Sequence, residues 1–468
     1  MNTTVSNTSF GIKDKIGYLL GDLGNDFTFI LSSSFLLKFY TDVMQVSAAV
    51  VGIVMMLARF ADAFTDVTMG RICDRAKVSS KGKFKPWILR MAAPVAISSF
   101  LIYQSGFRTA PLGFRVGWLV VTYLLWGSIF YTSINIPYGS MASTISPEPS
   151  HRQSLSTFRS MGSTFAGVIV GAGIPILAYE NKTVGGVSFA ELNGERFTLI
   201  AGILSLLAVV SYIACYLLTT ERTAPVTKKE EQKKVSELIR DAFTNRALTS
   251  IIVASVLMLL AQFTLQQMSN YVYPDYYGNT SAQSASTLAM LVGMVIAASL
   301  AKPLVGKFGK AEISAFSSVI AAAVCLLLFF VRPESVWVYV VFNFFAWLGL
   351  GVFTMVSWAI ITDVIDYSEI RNGVREDGSI YALYSFARKL GQAAAAGVCG
   401  ALLSLIKYEK TEGAPISEAV RRGIFNVSTV VPAIGFALLA AVLFFWYPLN
   451  KKRVDENVRI LRDRRLSE

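Results

Sequence analysis

Residues 46–70 read VSAAVVGIVMMLARFADAFTDVTMG, an apolar run that continues into a segment containing Arg59, Asp62 and Asp66. The run is long enough to cross the hydrocarbon core of a bilayer, which takes about 20 residues of helix. A charged residue at the centre of such a helix costs about 2.5–3.5 kcal/mol on insertion scales. The three charges therefore need a partner or a water-filled cavity.

The rest of the 468-residue chain repeats this apolar pattern. It is 53% hydrophobic and 16% charged, whereas a soluble domain carries roughly 25% charged residues. The composition predicts a polytopic α-helical membrane protein that contacts the lipid bilayer. Twelve candidate spans lie near 16–41, 47–71, 87–105, 116–142, 155–179, 197–219, 247–272, 284–305, 313–331, 336–362, 379–405 and 425–447.

The net charge of +12 is concentrated in alternate loops, a distribution that argues against nucleic acid as a partner. Basic residues cluster at 75–85, 228–234, 302–310 and 451–465, while loops 42–46 and 273–281 have almost none. Positively charged loops stay in the cytoplasm, so both termini are expected there. A polybasic tail that binds lipid is the alternative interpretation of residues 449–468.

Cysteine and histidine usage argues against an enzyme. Four scattered cysteines and a single histidine, His151, provide neither metal-ligand spacing nor a Ser-His triad. No G-x-x-x-x-G-K-[ST] phosphate loop occurs. We therefore expect no cofactor and no ATP-driven pump.

A charged stretch at 220–246 divides the chain into two halves of six spans, residues 1–219 and 247–448, followed by the tail 449–468. Gly–basic loops recur at 70–86 and 302–310, after the second span of each half. The first contains G-x-x-x-D-R (Gly70, Asp74 and Arg75) and resembles the signature of major facilitator proteins. This resemblance implies an all-α major facilitator fold with twelve transmembrane helices in two six-helix bundles.

The intramembrane polar residues form stripes, because helical positions three and four apart share a face. Arg59, Asp62 and Asp66 form one stripe with Thr65 at its flank. Carboxylates with nearby hydroxyl and amide oxygens suit a small hard cation, Na⁺ or H⁺. The alternative is an ion pair that serves helix packing alone. Further polar candidates in other spans are Asp22, Asn25, Asp26, Thr132, Asn135, Arg159, Arg388 and Lys389.

Aromatic and amide side chains in the spans are candidates for sugar stacking and hydroxyl binding, and Tyr131, Trp358 and Gln266 are the main ones. Packing between helices is the alternative. A separate set of charges at the cytoplasmic ends is a candidate gate, in which the loop 363–378 pairs with the basic loop 75–85. Its residues are Asp74, Arg75, Asp363, Asp366 and Arg375.

Several segments together resemble the glycoside–pentoside–hexuronide:cation symporter family. They include GYLLGDLGNDF, KFYTDV, ARFADAFTDVTMGRICDR, GKFKPWIL, NIPYGSMASTI and DVIDYSEIRNGVREDGSIYALYSFARKLGQA, in family order from about residue 15 to residue 447. The resemblance implies that Asp62 and Asp66 bind Na⁺ or H⁺ together with Thr65 and Thr132. It also implies that Asp26, Arg159 and Lys389 lie near the solute.

Departures from the melibiose-carrying branch of the family point to an anionic solute. The second sugar-binding acid of that branch is Asn135 here, the basic residue before its span-one acid is Asn25, and Arg388 stands beside Lys389. Because arginine pairs bidentately with carboxylate or sulfonate, we expect a hexuronide or a sulfonated sugar such as sulfoquinovose. The alternatives are an exporter or uniporter of a small organic sulfonate or neutral pentoside, and a lipid or amphiphile transporter. The resemblance also implies a monomer in a bacterial inner membrane.

Overall fold

A computed structural model describes residues 9–76, 78–79, 81–184, 187–222, 245–373, 377–411 and 413–467. Nearly all secondary structure in these ranges is helical. The helices are α1 (Ile12–Asp42), α2 (Ala48–Arg75), α3 (Lys85–Ile102), α4 (Leu112–Leu124), α5 (Thr132–Ile145), α6 (Pro149–Leu177), α7 (Gly194–Leu218), α8 (Arg246–Tyr271), α9 (Thr280–Phe308), α10 (Lys310–Val331), α11 (Val336–Asn372), α12 (Asp377–Leu405), α13 (Glu418–Ala441) and α14 (Lys451–Ser467).

Ten helical stretches in the described ranges are long and apolar enough to cross a membrane, with α4 and α5 counted as one. The helices α1 and α12 have comparable lengths, 31 and 29 residues. Their hydropathy is lowered by the polar residues on which the sequence analysis concentrated, including Asp26 in α1 and Arg388 in α12. Both helices therefore carry polar groups within a span, as expected for helices that face water or protein on one side.

The fourth span is not a regular α-helix. Residues Leu125–Tyr131 form a π-helical turn between α4 and α5. A π turn rotates the side chains that follow it relative to those before it, and such turns often occur at functional sites. Here the turn and the start of α5 both present hydroxyl groups to α2, at Ser128 and Thr132.

Local sequence explains several helix boundaries. Asn193 and Asn245 accept hydrogen bonds from the first-turn N–H groups of α7 and α8, as N-cap side chains do. Gly373 ends α11 with φ of +72°, in the left-handed region that glycine tolerates. The helix α11 thus extends through Asn372, so Asp363 and Asp366 lie in a helix and not in the expected loop 363–378.

The described chain forms two compact units. The first comprises residues up to 229 together with 278–284 and 400–417, and the second comprises 230–277, 285–399 and 418–468. Within the first unit α1 packs along α6 and α7. Within the second unit α10 packs against α11 and α13. Most of the linker expected at 220–246 lies outside the described residues, and the domain limits 1–219, 247–448 and 449–468 stay predictions.

An antiparallel hairpin in the first unit was not expected from the sequence. Its strands are β1 (Tyr179–Val184) and β2 (Val187–Leu192), with Tyr179 opposite Leu192. The segment 400–417 joins this hairpin, because the Gly413 N–H donates to Glu191 Oε1 at 2.9 Å. We call this side of the first unit its hairpin end.

A buried lysine holds the 400–417 segment to α1 at the hairpin end. The Lys38 side chain is 0% exposed and lies 2.8 Å from Asp42 Oδ2. Its ammonium also donates to the Tyr408 hydroxyl at 2.9 Å, and that hydroxyl donates to Asp42 Oδ1 at 2.9 Å. The hydroxyl of Ser404 accepts from the Ala49 N–H in the first turn of α2. The segment therefore satisfies a buried charge and caps a helix.

Replacing Tyr408 by phenylalanine removes the hydroxyl shared by Lys38 and Asp42 and leaves both charges buried. Hydrogen bonds to charged groups contribute about 1.5–3 kcal/mol, so we expect a lower melting temperature in detergent. Tyr216→Phe is the matched control, because the Tyr216 hydroxyl makes no hydrogen bond with any described residue. Equal melting temperatures for the two variants would contradict a stabilising role of this contact.

Candidate functional site

The first cluster joins α1 to α6. Arg159 Nε donates to Asp22 Oδ1 at 2.8 Å. Asp26 lies one turn further along α1. Within the described residues Asp26 has no ion-pair partner. Two carboxylates therefore face one guanidinium, and one of them is left for another ligand.

Asn25 lies on a different face of α1 from its neighbour Asp26. Its side chain is 1% exposed, and its Oδ1 accepts a hydrogen bond from the Tyr212 hydroxyl of α7 at 3.0 Å. The adjacent glycine also packs closely, since a Cβ at Gly24 would lie 3.0 Å from the Tyr212 ring. The structure thus places Asn25 in the α1–α7 interface.

The second cluster joins α2 to the π turn of the fourth span. Arg59 Nη1 lies 3.2 Å from Asp62 Oδ2. Ser128 donates to the other carboxylate oxygen, Asp62 Oδ1, at 2.6 Å. The Arg59 guanidinium also lies 5.0 Å from the centre of the Phe29 ring. Asp62 is therefore neutralised by an arginine on its own helix and bound by a hydroxyl from the next.

Asp66 lies one turn beyond Asp62 and bonds to a different hydroxyl. Thr132 Oγ1 is 2.8 Å from Asp66 Oδ1 and 3.2 Å from the Gly127 carbonyl oxygen. Thr65 uses its hydroxyl within α2, where it donates to the Asp62 carbonyl at 3.2 Å. The structure thus brings Asp62, Asp66 and Thr132 together, and the Thr65 hydroxyl bonds to its own backbone.

Tyr131 and Asn135 continue the same face of the fourth span. The Tyr131 ring stacks on Phe29 with 5.8 Å between ring centres and lies 5.3 Å from Trp126. Asn135 is partly exposed and makes no hydrogen bond with any residue in the described ranges. Its amide is therefore available to a ligand, whereas Tyr131 belongs to an aromatic cluster.

The third cluster lies within the second unit and is built around Arg388 of α12. Its guanidinium lies 5.5 Å from the centre of the Trp358 ring and 5.9 Å from that of Tyr384. Tyr381 stacks on Trp358 at 4.9 Å. The Arg388 Nη1 atom is buried and has no hydrogen-bond partner in the described part of the chain. Since buried donors are almost always paired, this group points to an absent acceptor.

Lys389 and Gln266 belong to the same unit. Lys389 follows Arg388 in α12 and therefore points about 100° around the helix from it. Gln266 lies in α8, and both side chains are partly exposed. These positions leave both residues accessible to a solute.

The chain matches a family model described as MFS/sugar transport protein over residues 17–451. It belongs to this family. The prediction of an all-α major facilitator fold, and of a transporter in place of an enzyme, is therefore confirmed, and the chain is a multi-pass membrane protein. A solved D-xylose-proton symporter shares the fold, with a TM-score of 0.62, 14% identity and coverage of 94% of this chain and 98% of that one.

Two curated relatives align with nearly the whole transporter. A glucuronide carrier protein homolog of Escherichia coli K12 is 30% identical over 448 residues, which are 95% of this chain and 94% of the relative. A candidate sulfoquinovose importer of Salmonella typhimurium is 28% identical over 446 residues, or 94% and 91% of the two chains. The resemblance to a family of sugar symporters is thereby confirmed at the level of the family.

The expected gate residues of the transporter are only partly described. Asp363 forms an ion pair with Lys310 at 2.6 Å within the second unit, a partner that the sequence analysis did not name. Asp366 is partly exposed six residues before the end of α11, and Arg75 is the exposed last residue of α2. The Asp74 side chain and Arg375 lie outside the described residues.

Sequence reasoning missed Ser128 as a partner of Asp62. The signal was available, because Ser128 precedes Thr132 by four residues and so shares its helical face. The π turn, which sets the final direction of both hydroxyls, has no comparable signature in the sequence.

Close packing between α1 and α6 positions the Arg159–Asp22 pair, and this suggests a test. A Cβ at Gly162 would lie 2.4 Å from the Leu19 carbonyl oxygen, whereas one at Gly167 would meet only Ile30 at 4.0 Å. Gly162→Ala is expected to push the helices apart, to cost about 1–3 kcal/mol and to reduce transport. Gly167→Ala on the same helix is the control. Similar melting temperatures and uptake rates in both variants would show that this contact is unimportant.

Proposed function

We propose that this transporter is a cation-coupled symporter of an anionic sugar or glycoside, a hexuronide or a sulfonated sugar. It works by alternating access and takes Na⁺ or H⁺ as its coupling ion. The buried Nη1 of Arg388, which has no hydrogen-bond partner among the described residues, is the observation that carries the anionic part of this proposal. The carboxylates of α2 support the cation-coupled part.

The proposed cation site is based on the oxygen atoms that α2 and the fourth span bring together. Asp62 pairs with Arg59 of its own helix, and Asp66 adds a second carboxylate one turn further along α2. Ser128 and Thr132 add hydroxyl oxygens to the carboxylates, and hard cations prefer such oxygen ligands. We assign Asp62, Asp66, Thr132 and the flanking Thr65 to this site, with Asp62 and Asp66 as the metal ligands if the ion is Na⁺.

The anion part follows from the surroundings of Arg388. Trp358 and Tyr384 cover the guanidinium and thereby restrict its hydrogen bonds to its free edge. A guanidinium edge matches a carboxylate or sulfonate through two parallel N–H···O bonds. The names of the two relatives, a glucuronide carrier homolog and a candidate sulfoquinovose importer, favour the same chemistry.

The remaining substrate-binding assignments are made within each unit. In the first unit Asp26 and Asn135 offer oxygen and amide groups to sugar hydroxyls, Arg159 adds positive charge and Tyr131 supplies aromatic surface. Asn25 acts there through the packing of α1 against Tyr212. In the second unit Gln266 offers an amide, Lys389 adds positive charge and Trp358 supplies aromatic surface. Cation binding adds positive charge beside Asp62 and Asp66 and so favours the solute-binding conformation, which is positive coupling between two sites.

The charge distribution supports a location in the bacterial inner membrane with both termini in the cytoplasm. The charged residues Asp74, Arg75, Asp363, Asp366 and Arg375 would then lie at the cytoplasmic ends and act as a gate. A monomer is sufficient for this mechanism. The direction of net transport follows the gradients, since a symporter is reversible.

Proteoliposomes that contain the purified protein test the function directly. Uptake of a radiolabelled alkyl glucuronide is measured with an inward Na⁺ gradient, an inward H⁺ gradient, both or neither. We expect accumulation above equilibrium with at least one gradient and simple equilibration without. Accumulation that is absent under every gradient, or independent of both, would exclude symport.

Asparagine variants of the α2 carboxylates separate coupling from solute recognition. Asp62→Asn and Asp66→Asn should still exchange internal for external solute but should lose most gradient-driven accumulation, because the site can no longer hold the coupling ion. Asp463→Asn, in the exposed part of α14, is the control. Normal accumulation by either α2 variant would show that its carboxylate is not part of the cation site.

Arg388→Gln tests anion recognition. Charge-assisted hydrogen bonds contribute about 1.5–3 kcal/mol, so we expect the dissociation constant for an alkyl glucuronide to rise roughly 10- to 150-fold. The corresponding alkyl glucoside, which lacks the carboxylate, should bind equally well to both proteins. Arg422→Gln changes an exposed arginine of α13 as the control. Equal losses for glucuronide and glucoside would assign Arg388 to packing instead.

A further inference from the structure

Arg159 is the accessible partner of its ion pair. It lies in α6, within the span that the sequence predicts at 155–179. Its side chain is 42% exposed, whereas that of Asp22 is 7% exposed. Arginines within spans face water or a protein partner, since contact with lipid is costly. The exposed N–H groups of Arg159 are therefore the ones that can meet a dissolved solute.

The guanidinium of Arg159 is held on its inner side. Nε donates to Asp22 Oδ1, and the Tyr138 ring lies 5.3 Å from the guanidinium carbon. The Tyr138 ring is itself fixed, because its hydroxyl donates to the Tyr18 carbonyl oxygen at 2.6 Å. The Tyr18 hydroxyl in turn donates to the Tyr138 carbonyl oxygen at 3.5 Å. These contacts set both the position and the plane of the guanidinium.

Asp22 differs from Asp26 in its accessibility. The Asp22 side chain is 7% exposed, and the Cβ of Asp22 lies in the close α1–α6 contact, 3.3 Å from the Cβ position of Gly162. Asp22 is therefore buried in the α1–α6 contact, where a solute does not reach it, whereas Arg159 beside it is exposed. Asp26 is partly exposed one turn away and can meet the solute itself.

We infer that Asp22 is a positioning residue, which binds Nε of Arg159 and so presents the remaining N–H groups of Arg159 to the acidic group of the solute. The inference rests on the proposed function and deepens it, because it explains how the first unit distinguishes an anionic sugar from a neutral one. Because the Arg159 guanidinium is already oriented before the solute binds, binding does not have to meet the entropy cost of ordering this side chain and is tighter.

Two substitutions of Asp22 separate orientation from charge. Asp22→Asn removes the charge but keeps an oxygen that accepts from Nε. It should bind an alkyl glucuronide at least as tightly as the unmodified protein. Asp22→Ala removes charge and acceptor together and lets the guanidinium turn. Because immobilising one side chain costs about 0.5–1.5 kcal/mol, we expect it to bind the glucuronide roughly two- to tenfold more weakly than Asp22→Asn.

The dissociation constants are measured by titration calorimetry on the purified full-length protein, for the glucuronide and for the matching glucoside. The Asn and Ala variants should bind the glucoside equally. In an Arg159→Gln background their difference for the glucuronide should vanish, because Asp22 acts through Arg159. Asp22→Ser, whose shorter side chain does not reach Nε, replaces Asp22→Ala if the latter does not fold.

Two results would overturn the inference. One is equal glucuronide binding by the Asn and Ala variants, and the other is a difference that persists without Arg159. Failure of the proposed function has a separate signature, since the unmodified protein would then bind glucuronide and glucoside alike. A protein that prefers the glucuronide and loses this preference in Arg159→Gln, but is insensitive to Asp22, would retain the function and reject the positioning role.

Discussion

An ionised side chain inside a membrane helix needs a counter-charge or water, and this requirement organises the first unit. Arg59 meets Asp62 and Arg159 meets Asp22. The second pair joins α6 to α1, whereas the first lies within α2, which is held to the fourth span by the hydroxyls of Ser128 and Thr132. Because a carboxylate left alone there would be costly, the contacts between helices restrain how far these helices can separate.

Complete neutralisation would leave the transporter with nothing to bind. Instead, Asp26 of the first unit has no ion-pair partner among the described residues. In the second unit Nη1 of Arg388, beside aromatic rings, has no hydrogen-bond partner in the described part of the chain. A cation near the first group and an anion near the second would satisfy both. A neutral solute alone would satisfy neither, and this is the physical argument for the proposed cation-coupled transport of an anion.

The sequence was sufficient for features that depend on local composition and helical period. Hydropathy predicted twelve spans, and ten helical stretches in the described ranges are long and apolar enough to cross a membrane. The three- and four-residue spacing placed Asp62 and Asp66 on one face of α2, and in the structure both bond to hydroxyls of the fourth span. It was insufficient where distant segments meet. The ion pair of Lys310 with Asp363 spans 53 residues of chain, and no periodicity identifies such a partner. The π turn was also not predicted, because it changes the direction of the side chains without changing the amino-acid composition.

The segment 400–417 has a consequence for biosynthesis. It belongs to the first unit although it is translated after residues 230–277 and 285–399, the larger part of the second. Lys38 of α1 therefore meets Tyr408 only after the ribosome has added a further 370 residues. Before that, the first turn of α2 also lacks the hydroxyl of Ser404. Domains usually mature in the order of their synthesis, but here the amino-terminal bundle cannot complete these contacts until residues 400–417 have been made.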